Sequence, residues 1–476
     1  MKRSFIKVLA MYLFSSTCFA CTTKFDNLLV ENGLDDGEIS IISTIENSPS
    51  LLTDVKATTY FLGWSNVGDT TIRVKADKEV LPALPGKKAD LASITKNLEA
   101  NFRLLSVGGS LSSGFRDGGL YREAQLTAFP NLIARQMGVT FDQPLFDTND
   151  GNGSGYKTLV EVEPIASFKM VNNNLGYEDN KAEKLKPFKG KNIDHYAFPG
   201  MNYDLGYQGS NEKMNQKFSD RIFNNSLKKS DFNAALIKKQ STDFFIIEAG
   251  YDDIVEGIMI GGGGGVPNQN AFTITQISET FKTLAMDKAK GVVLNVPDVL
   301  DFPYFNQITN DKINKLTGVM IRVQRGFGSK SYRSFNPLRD KLLPSPTVEK
   351  LMRGELKNLV LLGNEEVLSK DDGDDEWNRM MPGPYNDVQI SRKAKASNLP
   401  VVDIYGLYKK IFAGTYTTDD GVKVNSDWVK GNFFSADGIY PTAFGQAVIA
   451  NEVIKTMNQF YKLSIPLVDT RFFLKK

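Results

Sequence analysis

The chain reads as an α/β protein, a three-layer α/β/α sandwich around a central parallel sheet, and three observations predict it. Short unbroken apolar runs recur at Arg103–Val107, Phe244–Glu248, Gly291–Val296 and around Val401–Val402. Each stops at a turn signal: Gly108-Gly109, Ala249-Gly250, Pro297-Asp298 and Asp403. Between the runs lie stretches of helical period. Continuous apolar strands alternating with helices suit a parallel sheet covered on both faces.

Taken in order, the chain opens with Met1-Lys2-Arg3 and an apolar segment, Phe5 to Ala20, too short to span a membrane permanently. Residues 1–20 therefore read as an export signal. Cys18 and Cys21 both lie in this region, so an exported mature chain holds no internal disulfide and depends on its core. Residues 21–46 are polar and acidic and suit a tether. Residues 47–95 carry short β-like pieces, Thr58–Leu62 and Thr71–Val74, and match no pattern. The main domain is expected over 96–470, with irregular loops inserted at about 301–387. Length and 41% hydrophobic content support a large core.

The first βα connection organises the domain. Arg103–Val107 ends at Gly108-Gly109-Ser110, where small residues allow a tight turn and expose a serine at a strand's carboxyl end. Pro130 starts a helix in which Phe129, Leu132, Ile133, Gln136 and Met137 repeat at helical spacing. Near the end, Phe444, Ala447, Ala450, Val453, Ile454 and Met457 trace one apolar helix face after Pro441.

The segment "SVGGSLSSGFRDGGLYREAQLTAFPNLIARQ", Ser106 to Gln136, resembles the first block of the SGNH or GDSL hydrolases, in particular their bacterial lipoprotein branch. The resemblance recurs in family order from about Ala89 to Asp469. It implies an ester hydrolase with Ser110 as nucleophile and its N–H as one oxyanion donor. Gly200 in "AFPGMN" would be the second donor, and Asp437 in "SADGIYPT" would orient the base. Phe19-Ala20-Cys21 is similar to a lipobox, which implies lipidation of Cys21, export, and anchorage in the envelope, at the outer membrane.

Three positions depart from the family's pattern. Gly109 stands where Asp or Asn is usual. Asp252, in Gly250-Tyr251-Asp252-Asp253, stands where an asparagine amide should donate to the oxyanion. An ionised carboxylate only accepts. Tyr440 stands where the histidine base belongs, and a phenol of ordinary pKa ~10 is protonated at neutral pH. The one histidine, His195, lies five residues before Gly200, and a structural role is its expected one.

The resemblance therefore implies a catalytically impaired hydrolase-like lipoprotein that binds a ligand, such as an acyl or acetyl ester, or an envelope protein. The alternative is an active serine esterase with an unconventional base. A third reading makes the loops at 301–387 and residues 50–95 a contact surface in an envelope assembly. Lys+Arg 57 against Asp+Glu 55 offers no argument for nucleic acid. Asp150, Asn152, Ser154, Gly155 and Glu161 fall at EF-hand spacing, but the β-branched "TLVEVEPI" that follows reads as a strand, so a solvated turn is expected. The Gly261–Gly265 run lacks the lysine of a phosphate-binding loop. No cofactor or metal is implied.

Overall fold

The computed structural model describes residues 81–96, 101–146, 153–154, 156–171, 185, 187–190, 192–201, 218–222, 242–259, 288–325, 329–369 and 382–474. The export signal, Cys21, the tether, the β-like pieces at 58–62 and 71–74, Asp150, Asn152, Gly155 and the 261–265 glycines lie outside these residues. No helix among the described residues is long and apolar enough to cross a membrane.

Five parallel strands form the central sheet: β1 (Leu104–Gly108), β2 (His195–Ala197), β3 (Phe244–Glu248), β4 (Lys290–Leu294) and β5 (Val401–Val402). Their order is β2-β1-β3-β4-β5. Both β1 and β3 are buried at every position, which explains their unbroken apolar runs. The chain leaves β1 toward one edge and returns to build β3 on the other side. Such a reversal opens a crevice at the carboxyl ends of the two strands, where doubly wound sheets place their sites.

Helix α1 (Ser110–Ser113) follows β1 directly, and α2 (Phe129–Met137) carries Pro130 in its first turn and ends on Gly138 in the left-handed conformation. Helix α3 (Tyr251–Met259) follows β3 and α4 (Ile404–Phe412) follows β5. The last helix, α5 (Ala443–Tyr461), buries the expected apolar face completely, and α2 packs against it. Its start differs from expectation. Pro441 lies outside the helix, and Thr442 caps it by accepting from the Gly445 N–H at 3.1 Å while donating to the Asn432 carbonyl at 2.6 Å. Gln446, fully buried, ties three helices together: its amide donates to the Leu111 carbonyl and its oxygen accepts from the Phe129 N–H.

The segment expected as irregular loops at 301–387 is largely regular up to residue 369. Val319–Gln324 pairs with Tyr332–Ser334 and Asn358–Leu362 in a three-stranded sheet, and Asp340–Leu342 pairs with Val367–Ser369. Ile321, Val323, Leu342, Val348, Leu351, Val360 and Leu362 form a separate small core there. Its strands are short and half-buried; Arg322 breaks the apolar run of Val319–Gln324, although Leu359–Leu362 is apolar throughout. Residues 382–387 belong instead to the main domain, where the Tyr385 hydroxyl donates to the Ala249 carbonyl and Asn386 bonds both polar groups of Val296. At the other end, Leu81, Ala89, Leu91 and Ile94 pack on the main core.

Replacing the cap with alanine removes a helix-terminal acceptor from the longest helix among the described residues. Thr442→Ala is expected to lower stability by about 1–2 kcal/mol, measured by denaturant unfolding. A loss below the error of that measurement would contradict the capping role.

Candidate functional site

Three neighbouring strand ends converge on one carboxylate. Ser110 lies two residues beyond β1, Gly200 three beyond β2, and Asp252 four beyond β3. Asp252 Oδ2 accepts from the Ser110 N–H at 2.8 Å, the Gly200 N–H at 2.8 Å and the Ser110 hydroxyl at 2.9 Å. Its other oxygen, Oδ1, accepts from the Tyr440 hydroxyl at 3.3 Å. Gly200 has φ +75°, a conformation that glycine adopts without strain and that forms part of the turn presenting its N–H. Asp252 also stands in the first turn of α3, where backbone N–H groups favour a negative charge.

The position before the serine is fitted to this arrangement. A Cβ at Gly109 would lie 2.6 Å from Asp252 Oδ2, closer than any real contact, so no side chain fits at 109 while Asp252 holds its place. The Gly109 N–H is held by a second buried carboxyl, Glu248 at the end of β3, whose Oε2 accepts it at 2.8 Å and the Ser112 hydroxyl at 3.1 Å. Glu248 was not among the residues singled out from sequence. Its signal was a lone charged residue closing the apolar run "FFIIE".

The electrostatics follow from burial. Ser110 is 3% exposed, Asp252 2% and Tyr440 8%, so these side chains are almost wholly buried, while Gly200 is partly open. Burial pushes both carboxyls up; the Asp252 charge raises Glu248 further, while the bonds from Ser110, Gly200 and Tyr440 work against the rise at Asp252. Asp252 receives more hydrogen bonds than Glu248, which favours the negative charge on Asp252. The Tyr440 phenol is driven well above its ordinary value, by burial first and then by the Asp252 charge. It stays protonated and donates.

His195 is elsewhere in function. It pairs with Ser106 across the sheet, its Nδ1 lies 3.4 Å from the Gln143 amide oxygen, and its ring stacks at a tilt on Phe141. Burial lowers its pKa to about 3, so it is neutral. The Ser110 hydroxyl donates to a carboxylate and not to this imidazole.

Asp437 does not orient a base. Its Oδ1 accepts the N–H groups of Ile439 and Tyr440 at 2.9 Å each, and its Oδ2 that of Gly118 at 3.0 Å. It shapes the turn that carries Tyr440. Its pKa is pushed up to about 6, by burial and then by Asp117. The "GFRDGG" loop clasps that turn: the Asp117 N–H donates to Ser435 Oγ, and Asp117 Oδ1 accepts from the Ala436 N–H. Arg116, fully buried, donates to Tyr121 and Thr127.

The EF-hand spacing has no matching geometry where it is described. Tyr156–Glu161 is a strand, Ser154 Oγ accepts from the Leu120 N–H, and Glu161 pairs with Arg353 at 3.0 Å. Among the described residues no group of three or more His, Cys, Asp or Glu could hold a metal ion. No protein-family model matches the chain, and no curated protein is significantly similar to it.

The carboxyl pair predicts a sign for the pH dependence of stability. Both groups hold protons more tightly folded than unfolded, so between about pH 4 and pH 7 the native state binds more protons and stability falls as pH rises. In Asp252→Asn/Glu248→Gln that fall is expected to be visibly smaller in thermal melts across the window. Superimposable slopes for variant and wild type would contradict the assignment.

Proposed function

We propose that this chain is a hydrolase-like protein of the SGNH or GDSL kind, a three-layer α/β/α sandwich whose ester chemistry is silenced and which acts by binding. The observation that carries this reading is the seat of Asp252 Oδ2 on the two N–H groups and the hydroxyl. A serine hydrolase needs a base within reach of its hydroxyl and vacant donors for the developing oxyanion. Here one carboxylate oxygen occupies all three partners.

An ester carbonyl is neutral, and its hydrogen bonds are roughly half as strong as those of a carboxylate. It cannot readily displace Asp252. Loss of one oxyanion donor alone costs roughly 10²–10³ in rate, and here the two backbone donors are both engaged. Three departures from the family pattern then act together. Asp252 fills the donors, Gly109 leaves room for it, and Tyr440 donates to its second oxygen.

The alternative, an active esterase, has one observation in its favour. Asp252 accepts the Ser110 proton at 2.9 Å and burial raises its basicity. As a base, however, the same oxygen would have to leave the N–H donors that the reaction also needs. The silent reading therefore stands first. In this reading the protein binds an envelope protein or an ester-bearing ligand.

Hydrolysis of p-nitrophenyl acetate and butyrate tests this. Wild type and Ser110→Ala are expected to match the uncatalysed background, and Asp252→Asn/Tyr440→His to exceed it by 10-fold or more. A wild-type rate that Ser110→Ala abolishes would overturn the reading. Export and anchorage through Cys21 in the outer membrane belong to the same proposal. Palmitate labelling of the expressed chain is expected, with its loss in Cys21→Ser; an unlabelled wild type would refute anchorage.

A further inference from the structure

The small sheet of the inserted segment has one buried face and one open face. Its register sets Met320 opposite Leu359, Arg322 opposite both Leu361 and Ser334, and Gln324 opposite Tyr332. Val360, Ile321, Leu362 and Val323 point into the small core. On the other face Met320 is 55% exposed, Leu359 54% and Leu361 50%. Three large aliphatic side chains, half in water, thus stand side by side on adjacent strands. Isolated exposed apolar residues need no explanation, but a contiguous group marks an interaction surface.

The charge along Val319–Gln324, Tyr332–Ser334 and the residues flanking them is one-sided, while beyond the ends of Asn358–Leu362 the exposed Glu355 and Glu365 stand beside Lys357. Residues 312–339 hold seven Lys or Arg and no Asp or Glu, in a chain whose formal net charge is only +2. Lys312 pairs with Glu163, and Arg333 is buried against Asp340 at 2.7 Å. Lys315, Arg325 and Lys330 are exposed and Arg322 is half-buried on the open face itself. An apolar centre with cations at its margin is complementary to a lipid surface of negative charge. Aliphatic side chains enter the boundary between headgroups and acyl chains, while lysine and arginine meet the phosphates. Nucleic acid would be served by the cations but not by the three aliphatic side chains.

We propose that the open face of this sheet docks on an anionic membrane surface, with Met320, Leu359 and Leu361 inserting and Arg322 and Lys330 binding phosphate headgroups. The proposal is independent of whether Ser110 has any chemistry. It supplies a second membrane contact beside the expected lipid at Cys21, and two such signals together make anchorage stable.

The test is co-sedimentation of residues 21–476 carrying Cys21→Ser, which keeps every described residue, with vesicles of phosphatidylcholine alone or of phosphatidylcholine mixed with phosphatidylglycerol, whose negative surface attracts basic patches. Binding to the anionic vesicles is expected, with release at about 0.5 M salt, where screening is short-ranged. Arg322→Gln/Lys330→Gln is expected to weaken partition by tenfold or more, at about fivefold per charge. Leu359→Ser/Leu361→Ser is expected to weaken it by a similar factor. Both changes are on the surface, and unchanged melting would show that the fold is kept. Absence of binding to the anionic vesicles, equal binding to neutral ones, or unaltered binding by both variants would each overturn the proposal. So would retention on heparin or duplex DNA without any retention on vesicles.

Discussion

One oxygen atom, Asp252 Oδ2, joins the ends of three adjacent strands. It receives the N–H that follows β1, the N–H that follows β2, and the serine hydroxyl, while Asp252 itself begins the helix after β3. A buried carboxylate is tolerated only when donors replace the water it loses. Here backbone groups supply two of them, at the crevice that the order β2-β1-β3 opens. Glu248 beside it shares the consequence. Two buried carboxyls cannot both ionise cheaply, so the proton stays with the one that has fewer donors.

The rest of the site is arranged around that atom. Gly109 has no Cβ because the space is taken by Asp252, and Gly108 is similarly crowded by Ser112 and Glu248. Tyr440 reaches Asp252 from a turn whose backbone is held by Asp437, and Asp117 and Gly118 fasten that turn from the other side. Phe115 lies edge-on to the Tyr440 ring at 5.2 Å and Tyr251 packs on it at 5.7 Å. These contacts hold shape. They would persist whether or not the serine ever reacts.

Much of the fold was legible in the sequence, for a definite reason. Strands buried on both faces are largely apolar, so Phe244–Glu248 stood out with correct bounds and Arg103–Val107 within one residue of β1. Strand β4 lies slightly earlier than its apolar run suggested, because Lys290 belongs to it although exposed. The inserted sheet was missed because strands such as Val319–Gln324 bury only one face, and polar residues interrupt their pattern. At the site, Ser110, Gly200, Asp252 and Tyr440 were named from motif positions and the structure brings them together. What no spacing could disclose is that Asp252 turns back onto the donors. The loss of a donor was readable from residue type; its replacement by an internal acceptor is a matter of three-dimensional reach. Asp437 shows the opposite case, a motif position whose carboxylate is committed to backbone amides.

The central claim is that Asp252 already occupies the place an oxyanion would take. Reaction with a fluorophosphonate, followed by mass spectrometry of the intact protein, tests this most directly, since adduct formation requires both an activated hydroxyl and open oxyanion donors. Wild-type protein is predicted to remain unmodified, and the variant Asp252→Asn/Tyr440→His to gain one adduct at Ser110. Rapid stoichiometric labelling of the wild type at Ser110 would contradict the account.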